Sequence, residues 1–302
     1  MKQLLQSRHL HARHSTGSTP KRFCNSRTAS RVMDLLELAV AILIGVLQGI
    51  FEWLPISSEG NISIILTALG RTPAHAIQYS LFLHLGTAIA ATAYFRGQIY
   101  DLIADIPMLR TRSYDTSDLV FLIVATLISG VTGLVAYKFL IEAVSELDGG
   151  LLIVLIGVLL VATGVFQQRS SSRSQQTTRS TTYLDALLVG VGQGAAILPG
   201  VSRSGTTVGI LLLRGYGGQT AFRLSFLLSI PAAIGAGLLG YLDSGGFPSV
   251  VPLHAGSALL ASALAGYLSI DLLMRFARRV SFGVICIVLG GLAILGGLLV
   301  LV

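Results

Sequence analysis

The sequence predicts an all-α polytopic membrane protein built as an inverted repeat, with six full transmembrane helices plus two re-entrant helix pairs. Three observations carry that expectation. Of 302 residues, 53% are apolar and only 12% charged, with a mean hydropathy of +0.76; this excludes an ordinary soluble domain. Six uninterrupted apolar segments reach or approach the ~20 residues needed to cross a hydrocarbon core about 30 Å thick. Two further apolar regions are broken midway by polar, Gly/Pro-rich sequence, and these two resemble each other.

The chain opens on a basic head. Lys2, Arg8, Arg13, Lys21, Arg22, Arg27 and Arg31 precede Asp34 with no acid among them, so the net charge of +7 lies entirely here. The remaining 14 basic and 14 acidic residues balance, and no basic patch is left for a nucleic acid. Residues 1–32 are Ser/Thr-rich without apolar periodicity, which predicts disorder. Their composition suits an organellar transit peptide or a reading frame begun upstream of Met33; the second is favoured, with a mature chain starting at or near Met33. Cys24 and Cys286 are the two cysteines, so no disulfide framework exists, and no Cys/His cluster has zinc-ligand spacing.

Residues 33–302 form a single membrane domain made of two repeats, about 35–166 and 184–302. The first begins with the broken region 35–70, interrupted at PISSEGN (55–61), and continues with spans 76–95, 119–138 and 150–166. The second begins with 184–213, interrupted at PGVSRSGTT (199–207), and continues with 225–241, 253–274 and 281–302. Each arm of a broken region is too short to span, the sign of re-entrant helices around a buried or watery site. GVLQG (45–49) leading to LPISSEG matches GVGQG (190–194) leading to LPGVSRSG with one residue of offset, which marks a duplication. One re-entrant pair plus three spans makes an odd number of crossings, so the second repeat enters from the opposite face.

Orientation follows the loop Lys/Arg count. Eleven basic residues fall in 96–118, 167–183, 214–224 and 275–280, against Arg71 and Lys138 on the other side, which makes the eleven-residue side cytoplasmic and puts both ends of the body outside. Gly283, Gly290, Gly291, Gly296 and Gly297 of the last span suit either a homodimer face or packing within the chain.

The body's remaining basic residue, Arg203, sits in the second break. A charge near mid-membrane costs about 2.5–3.5 kcal/mol on insertion scales, which points to function and an anionic partner. Glu52 is its counterpart in the first break. Around them lie hydroxyls, Ser57 and Ser58 in one break and Ser202, Ser204, Thr206 and Thr207 in the other, each leading into a new short helix. Helix N-termini with free N–H groups, an Arg fork and hydroxyls together describe a phosphate site. The same residues also suit plain N-caps and a structural ion pair.

These blocks, Gln48-Gly-Ile-Phe-Glu52 into Leu54-Pro-Ile-Ser-Ser58 and Pro199-Gly-Val-Ser-Arg203-Ser-Gly-Thr-Thr207, resemble the two signature motifs of the undecaprenyl-diphosphate phosphatase family of the bacitracin-resistance type, and the likeness continues through FRLSFLLSIPA (222–232). The resemblance implies a multi-pass plasma-membrane enzyme that hydrolyses a polyprenyl diphosphate lipid to the monophosphate carrier and phosphate at the outer face, with a divalent cation, Mg²⁺ or Ca²⁺. It implies that Glu52 and Gln48 fill the acidic motif, that Ser58 is nucleophile or phosphate ligand, and that Ser202, Arg203 and Thr207 surround the diphosphate; Ser57, Asn61, Ser204 and Thr206 complete the binding set. There is one departure: relatives read Ser-Thr-Gly-His where this chain has Ser58-Glu59-Gly60-Asn61, so the family histidine is missing. Three routes remain open: Ser58 attacking with Glu52 as base, a metal-bound water held by Glu52 with Glu59, or catalysis by His84, which falls in the next span where relatives carry Gln. A polyprenyl-phosphate transporter with the same broken-helix site is the competing class.

Overall fold

The computed structural model describes residues 22–107, 118–171, 180–247, 252–276 and 282–301. Among them the regular elements are eleven α-helices: α1 Arg22–Phe51, α2 Ser58–Ala68, α3 Pro73–Tyr94, α4 Arg96–Ala104, α5 Asp118–Ser145, α6 Gly149–Ser171, α7 Tyr183–Ala195, α8 Arg203–Leu213, α9 Gly218–Asp243, α10 Pro252–Phe276 and α11 Phe282–Leu301. Seven are long and apolar enough to cross a membrane: α1 over Arg31–Phe51, then α3, α5, α6, α9, α10 and α11. The chain is a multi-pass, all-helical membrane protein.

Six of these match the expected spans. The seventh differs from expectation, because the first arm of the first broken region belongs to a 30-residue helix rather than to one too short to span. The reason is local: no proline follows Pro20 until Pro55, so nothing forces a stop before the break. The same continuity makes residues 22–32 helical, where a disordered head was expected; residues 1–21 lie outside the described residues. The chain divides into two compact units, Met1–Ala39 and Val40–Val302. The other short arms, α2, α7 and α8, have 11, 13 and 11 residues, well below a span. The nine-residue α4 was not foreseen. Of the loop cations counted for orientation, Arg110, Arg112, Arg173, Arg179, Arg278 and Arg279 lie outside the described residues, as does the side chain of Arg275.

Small residues set how closely the helices approach. Gly150, Gly157 and Gly164 of α6 meet Gly297, Gly290 and Gly283 of α11 in antiparallel order, with the glycines of each helix seven residues apart. A Cβ on Gly157 would stand 2.7 Å from the Gly290 carbonyl oxygen. Three of the five glycines of α11 are therefore used inside the chain, while Gly291 and Gly296 meet no described atom within 4 Å. The repeated GVxQG blocks work alike. Gly45 and Gly49 press on α10 at Ala258 and Ser262, and Gly190 and Gly194 press on α5 at Ala125 and Thr132. In each block the intervening glutamine, Gln48 or Gln193, is buried.

Three apolar clusters fill the body. Trp53, Phe121, Tyr216 and Phe226 anchor the one that includes α5, α7, α8 and α9. Ile44, Ile62, Phe82 and Ala258 hold the first break against α3 and α10, and Ile77, Tyr137 and Ile156 join α3, α5 and α6.

Overpacking a tight contact costs about 1–3 kcal/mol. Gly157→Leu is therefore expected to lower the thermal unfolding midpoint in detergent, whereas Gly291→Leu, facing open space, stays within about 0.5 kcal/mol of wild type or above it.

Candidate active site

Residues 52–57 and 196–202 carry the chain through its two breaks, and each break ends in a capped helix. Ser57 accepts from Gly60 N–H at 3.3 Å and Ser202 from Gly205 N–H at 3.2 Å. Ser57 has φ of 59°, the one non-glycine residue with positive φ among the described residues, and Gly200 has φ of 101°. The breaks touch back to back: Gly200 N–H donates to Ser57 Oγ at 3.0 Å, and a Cβ on Gly60 would stand 2.7 Å from Gly200 N.

Irregular backbone leaves carbonyls without helical partners, and side chains supply donors for them. Asn61 Nδ2 donates to Ile56 O at 2.7 Å and to Ser57 O at 2.9 Å. Gln167 Nε2 of α6 and Cys286 Sγ of α11 donate to Pro55 O at 2.7 and 3.2 Å. Ser204 reaches Leu54 O at 3.4 Å, and Thr163 reaches Gly200 O at 3.2 Å.

This scaffold brings the charged residues together. Arg203 Nη2 donates to Glu52 Oε1 at 2.5 Å. Glu52 Oε2 receives Ser58 Oγ at 2.8 Å and Gln48 Nε2 at 3.1 Å, and His84 Nε2 stands 3.2 Å from the same oxygen and 3.8 Å from Glu59 Oε1. His84 Nδ1 lies 2.9 Å from Ser80 O. A carbonyl only accepts, so Nδ1 carries a proton, and a hydrogen bond between Nε2 and Glu52 needs a second proton shared between ring and carboxyl. Glu52, Ser58, Glu59 and His84 are all buried. Arg203 Nη1 is buried without a hydrogen-bond partner among the described residues, as is Gln193 Oε1.

These groups line one part of a cavity of about 360 Å³, whose other walls are formed by α5 and α9 with Gly130, Leu134, Pro231, Ala233, Leu238 and Leu242. Of the expected site residues, Glu52, Ser57, Ser58, His84, Ser202, Arg203 and Ser204 line it. Gln48 reaches it through Glu52. Asn61, Thr206 and Thr207 do not line it: Asn61 serves the backbone, and Thr207 bonds Ser225 Oγ at 2.6 Å between α8 and α9. Gln193, Ser129 and Thr126 line the cavity without having been expected there. Gln193 was legible as the repeat partner of Gln48; Ser129 and Thr126 carry no motif.

The donor set does not fit the divalent cation expected at Glu52. Glu52 Oε1 takes Arg203 and its Oε2 takes Ser58 and Gln48, and among the described residues no group of three His, Cys, Asp or Glu is arranged to hold a metal ion.

Residues 41–292 match the family model of the bacitracin resistance protein BacA. The chain belongs to the BacA family. It is 50% identical over 266 residues to the undecaprenyl-diphosphatase of Haloarcula marismortui, covering 87% of this chain and 98% of that one. It is 40% identical over 271 residues to the undecaprenyl-diphosphatase of Methanococcoides burtonii, covering 86% and 98%, and 35% identical over 259 residues to that of Syntrophotalea carbinolica, covering 83% and 96%. Both breaks of this BacA-family chain lie inside the matched range.

Removing the donor to a buried carbonyl costs about 1–3 kcal/mol. Asn61→Ala and Gln167→Ala are each expected to destabilise the protein by that amount in detergent unfolding, and unchanged stability in both would remove the backbone role assigned to them.

Proposed function

We propose that this protein hydrolyses an undecaprenyl-type polyprenyl diphosphate to the monophosphate and inorganic phosphate, returning the lipid carrier to cell-envelope glycan synthesis. The observation that carries this reading is the pair of a buried Glu52 with a part-buried Arg203, with Ser58 on the same carboxylate, in a cavity that α5 and α9 wall largely with apolar residues. Such a cavity suits a ligand with an anionic head and a hydrocarbon tail, and membership of the BacA family supports the same chemistry.

Arg203 Nη1 and the N–H groups of Ser58 and Glu59 at the start of α2 and of Arg203 and Ser204 at the start of α8, which the Ser57 and Ser202 caps leave without an intrahelical acceptor, are the donors for the diphosphate oxygens. They stabilise charge as it moves onto the departing phosphoryl oxygens. Ser58 Oγ, already donating to Glu52, attacks the terminal phosphorus and passes its proton to the Glu52 carboxylate. The bond from that phosphorus to the bridging oxygen breaks, and its electron pair leaves on the polyprenyl monophosphate. Water then attacks the phosphoserine, releasing phosphate and restoring the serine hydroxyl. Gln48 and His84 hold the orientation and charge of Glu52 at its Oε2.

The short α2, α7 and α8 support two re-entrant pairs within two inverted repeats, the first arm ending at Phe51. The excess of Arg in the loops on one side supports a cytoplasmic placement of those loops and a site opening to the outer face.

Purified protein is expected to release phosphate from undecaprenyl diphosphate in detergent. Glu52→Ala and Arg203→Ala should each reduce the rate by about 100-fold or more, the scale of losing one transition-state contact. Wild-type turnover in either variant would overturn these roles. Rapid-quench trapping of phosphate on Ser58 is expected; a turnover burst with no labelled serine would replace covalent attack by direct attack of water.

A further inference from the structure

Hydrolysis of a phosphoserine needs a water held in line with the phosphorus, and the groups placed on the diphosphate leave that water without a partner. Ser58, Glu52, Arg203 and the helix N–H groups all address the phosphate or the serine. Five buried side-chain atoms have no hydrogen-bond partner among the described residues, and two of them belong to residues that line the cavity. One is a donor, Arg203 Nη1. The other is an acceptor, Gln193 Oε1.

The orientation of this amide is settled by its other end. Gln193 Nε2 donates to Ser129 Oγ of α5 at 3.1 Å and to Leu228 O of α9 at 3.4 Å. A main-chain carbonyl only accepts, so the nitrogen faces Leu228 and the oxygen is the atom left over. Gln193 is 4% exposed, and a leucine would fill its space without leaving a buried carbonyl unsatisfied, which is costly. The glutamine at the same place in the first GVxQG block behaves differently. Gln48 gives its Nε2 to Glu52 Oε2 at 3.1 Å and does not line the cavity, whereas the Gln193 amide bonds a hydroxyl and a carbonyl and does. Thr126, one turn before Ser129 on α5, adds a second hydroxyl residue to that part of the wall.

An unprotonated phosphate oxygen cannot satisfy a carbonyl, since both only accept; a water can. We propose that Gln193 is a positioning residue that holds the hydrolytic water through its Oε1 for attack on phosphorylated Ser58. The inference rests on the hydrolase reading with its covalent step, and it names the group that orients the second nucleophile. In this step the water oxygen bonds to phosphorus while one of its hydrogens donates to Gln193 Oε1. The bond from phosphorus to Ser58 Oγ breaks with its electron pair on Oγ. Glu52 returns to that oxygen the proton it took in the first step, and inorganic phosphate leaves carrying both hydrogens of the water. The amide takes no proton, so its contribution is alignment.

Rapid quench with undecaprenyl diphosphate labelled on its terminal phosphate separates the two halves, because labelled protein reports attack by Ser58 and free labelled phosphate reports attack by water. Gln193→Met keeps the length of the side chain and removes the acceptor. It is expected to slow phosphoserine hydrolysis by about tenfold or more, with Ser58 phosphorylation within about twofold of wild type, so that labelled protein accumulates. Gln193→Asn, which draws the same oxygen back by one methylene, should show the same pattern to a smaller degree and serves should the Met variant fail to fold. A loosened site would slow both halves alike; that result, or unchanged phosphoserine hydrolysis in both variants, would overturn the assignment. Phosphate release with no labelled serine in wild type or either variant would also overturn it, by removing the intermediate, while the hydrolase reading stands. Wild-type protein that releases no phosphate would defeat that reading, and the water site with it.

Discussion

Two stretches of non-helical backbone must be accommodated in a membrane protein, and that constraint organises the rest of the fold. In hydrocarbon an unsatisfied carbonyl costs several kcal/mol, so a broken helix survives only where other groups supply its hydrogen bonds. Here the suppliers come from distant elements: Gln167 and Cys286 for Pro55, and Thr163 for Gly200. The glycine contact between α6 and α11 follows from this. Gln167 and Cys286 serve the same carbonyl from the two helices, and both can reach it because Gly164 and Gly283 let the backbones approach nearby. Close packing and polar satisfaction are one solution rather than two.

The same junction explains why the charges are tolerated. Glu52 and Arg203 stand 151 residues apart in sequence and meet because Ser57 and Gly200 join the breaks behind them. Burying an ion pair costs several kcal/mol per ion, which attraction offsets only with good geometry and additional hydrogen bonds. Glu52 has those bonds from Gln48 and Ser58. Arg203 does not, since its Nη1 is left without a partner. The imbalance is informative: a carboxylate fully satisfied by protein is held in place, whereas a guanidinium with a spare buried donor is prepared for an anion. Strain at Ser57 belongs to the same account, because positive φ in a serine costs about 1–3 kcal/mol and persists where surrounding structure over-determines it.

Much of this was legible in the sequence. The six long spans follow from apolar length alone, and the two breaks from proline and hydroxyl clusters within otherwise apolar runs. Arg203 and Glu52 stood out because charge is rare in such a chain. What stayed hidden depended on partners that no local pattern names. No motif marks Ser129, which meets the cavity, whereas Ser225, inside the FRLSFLLSIPA stretch, ties α9 to α8 instead. The reach of α1 was missed because a helix arm ending at a break looks short from the break side, while its other end is set by the nearest proline. Gln193 was readable in principle: the two GVxQG blocks place a buried glutamine between two packing glycines each time, and only one of the two was carried into the site.

Asn61, which stands where the motif resemblance implies a histidine, and His84 are best understood together. Position 61 lies in the first turn of α2, beneath two carbonyls of the break, and Asn61 meets both with one amide group. An imidazole has only one N–H on each nitrogen, and those point apart, so it does not reproduce that fork. Asn61 therefore holds the backbone of the break, and α2 carries no imidazole. His84 supplies one from α3, with Nδ1 on Ser80 O and Nε2 beside the same Glu52 oxygen that receives Ser58. An imidazole so anchored belongs to the span-length α3, and it meets the carboxylate oxygen that Arg203 does not hold. Glu59, at the position between Ser58 and Gly60, adds a second carboxylate to the same imidazole. In this chain the imidazole at the centre is thus carried by α3, while α2 supplies Ser58 and Glu59.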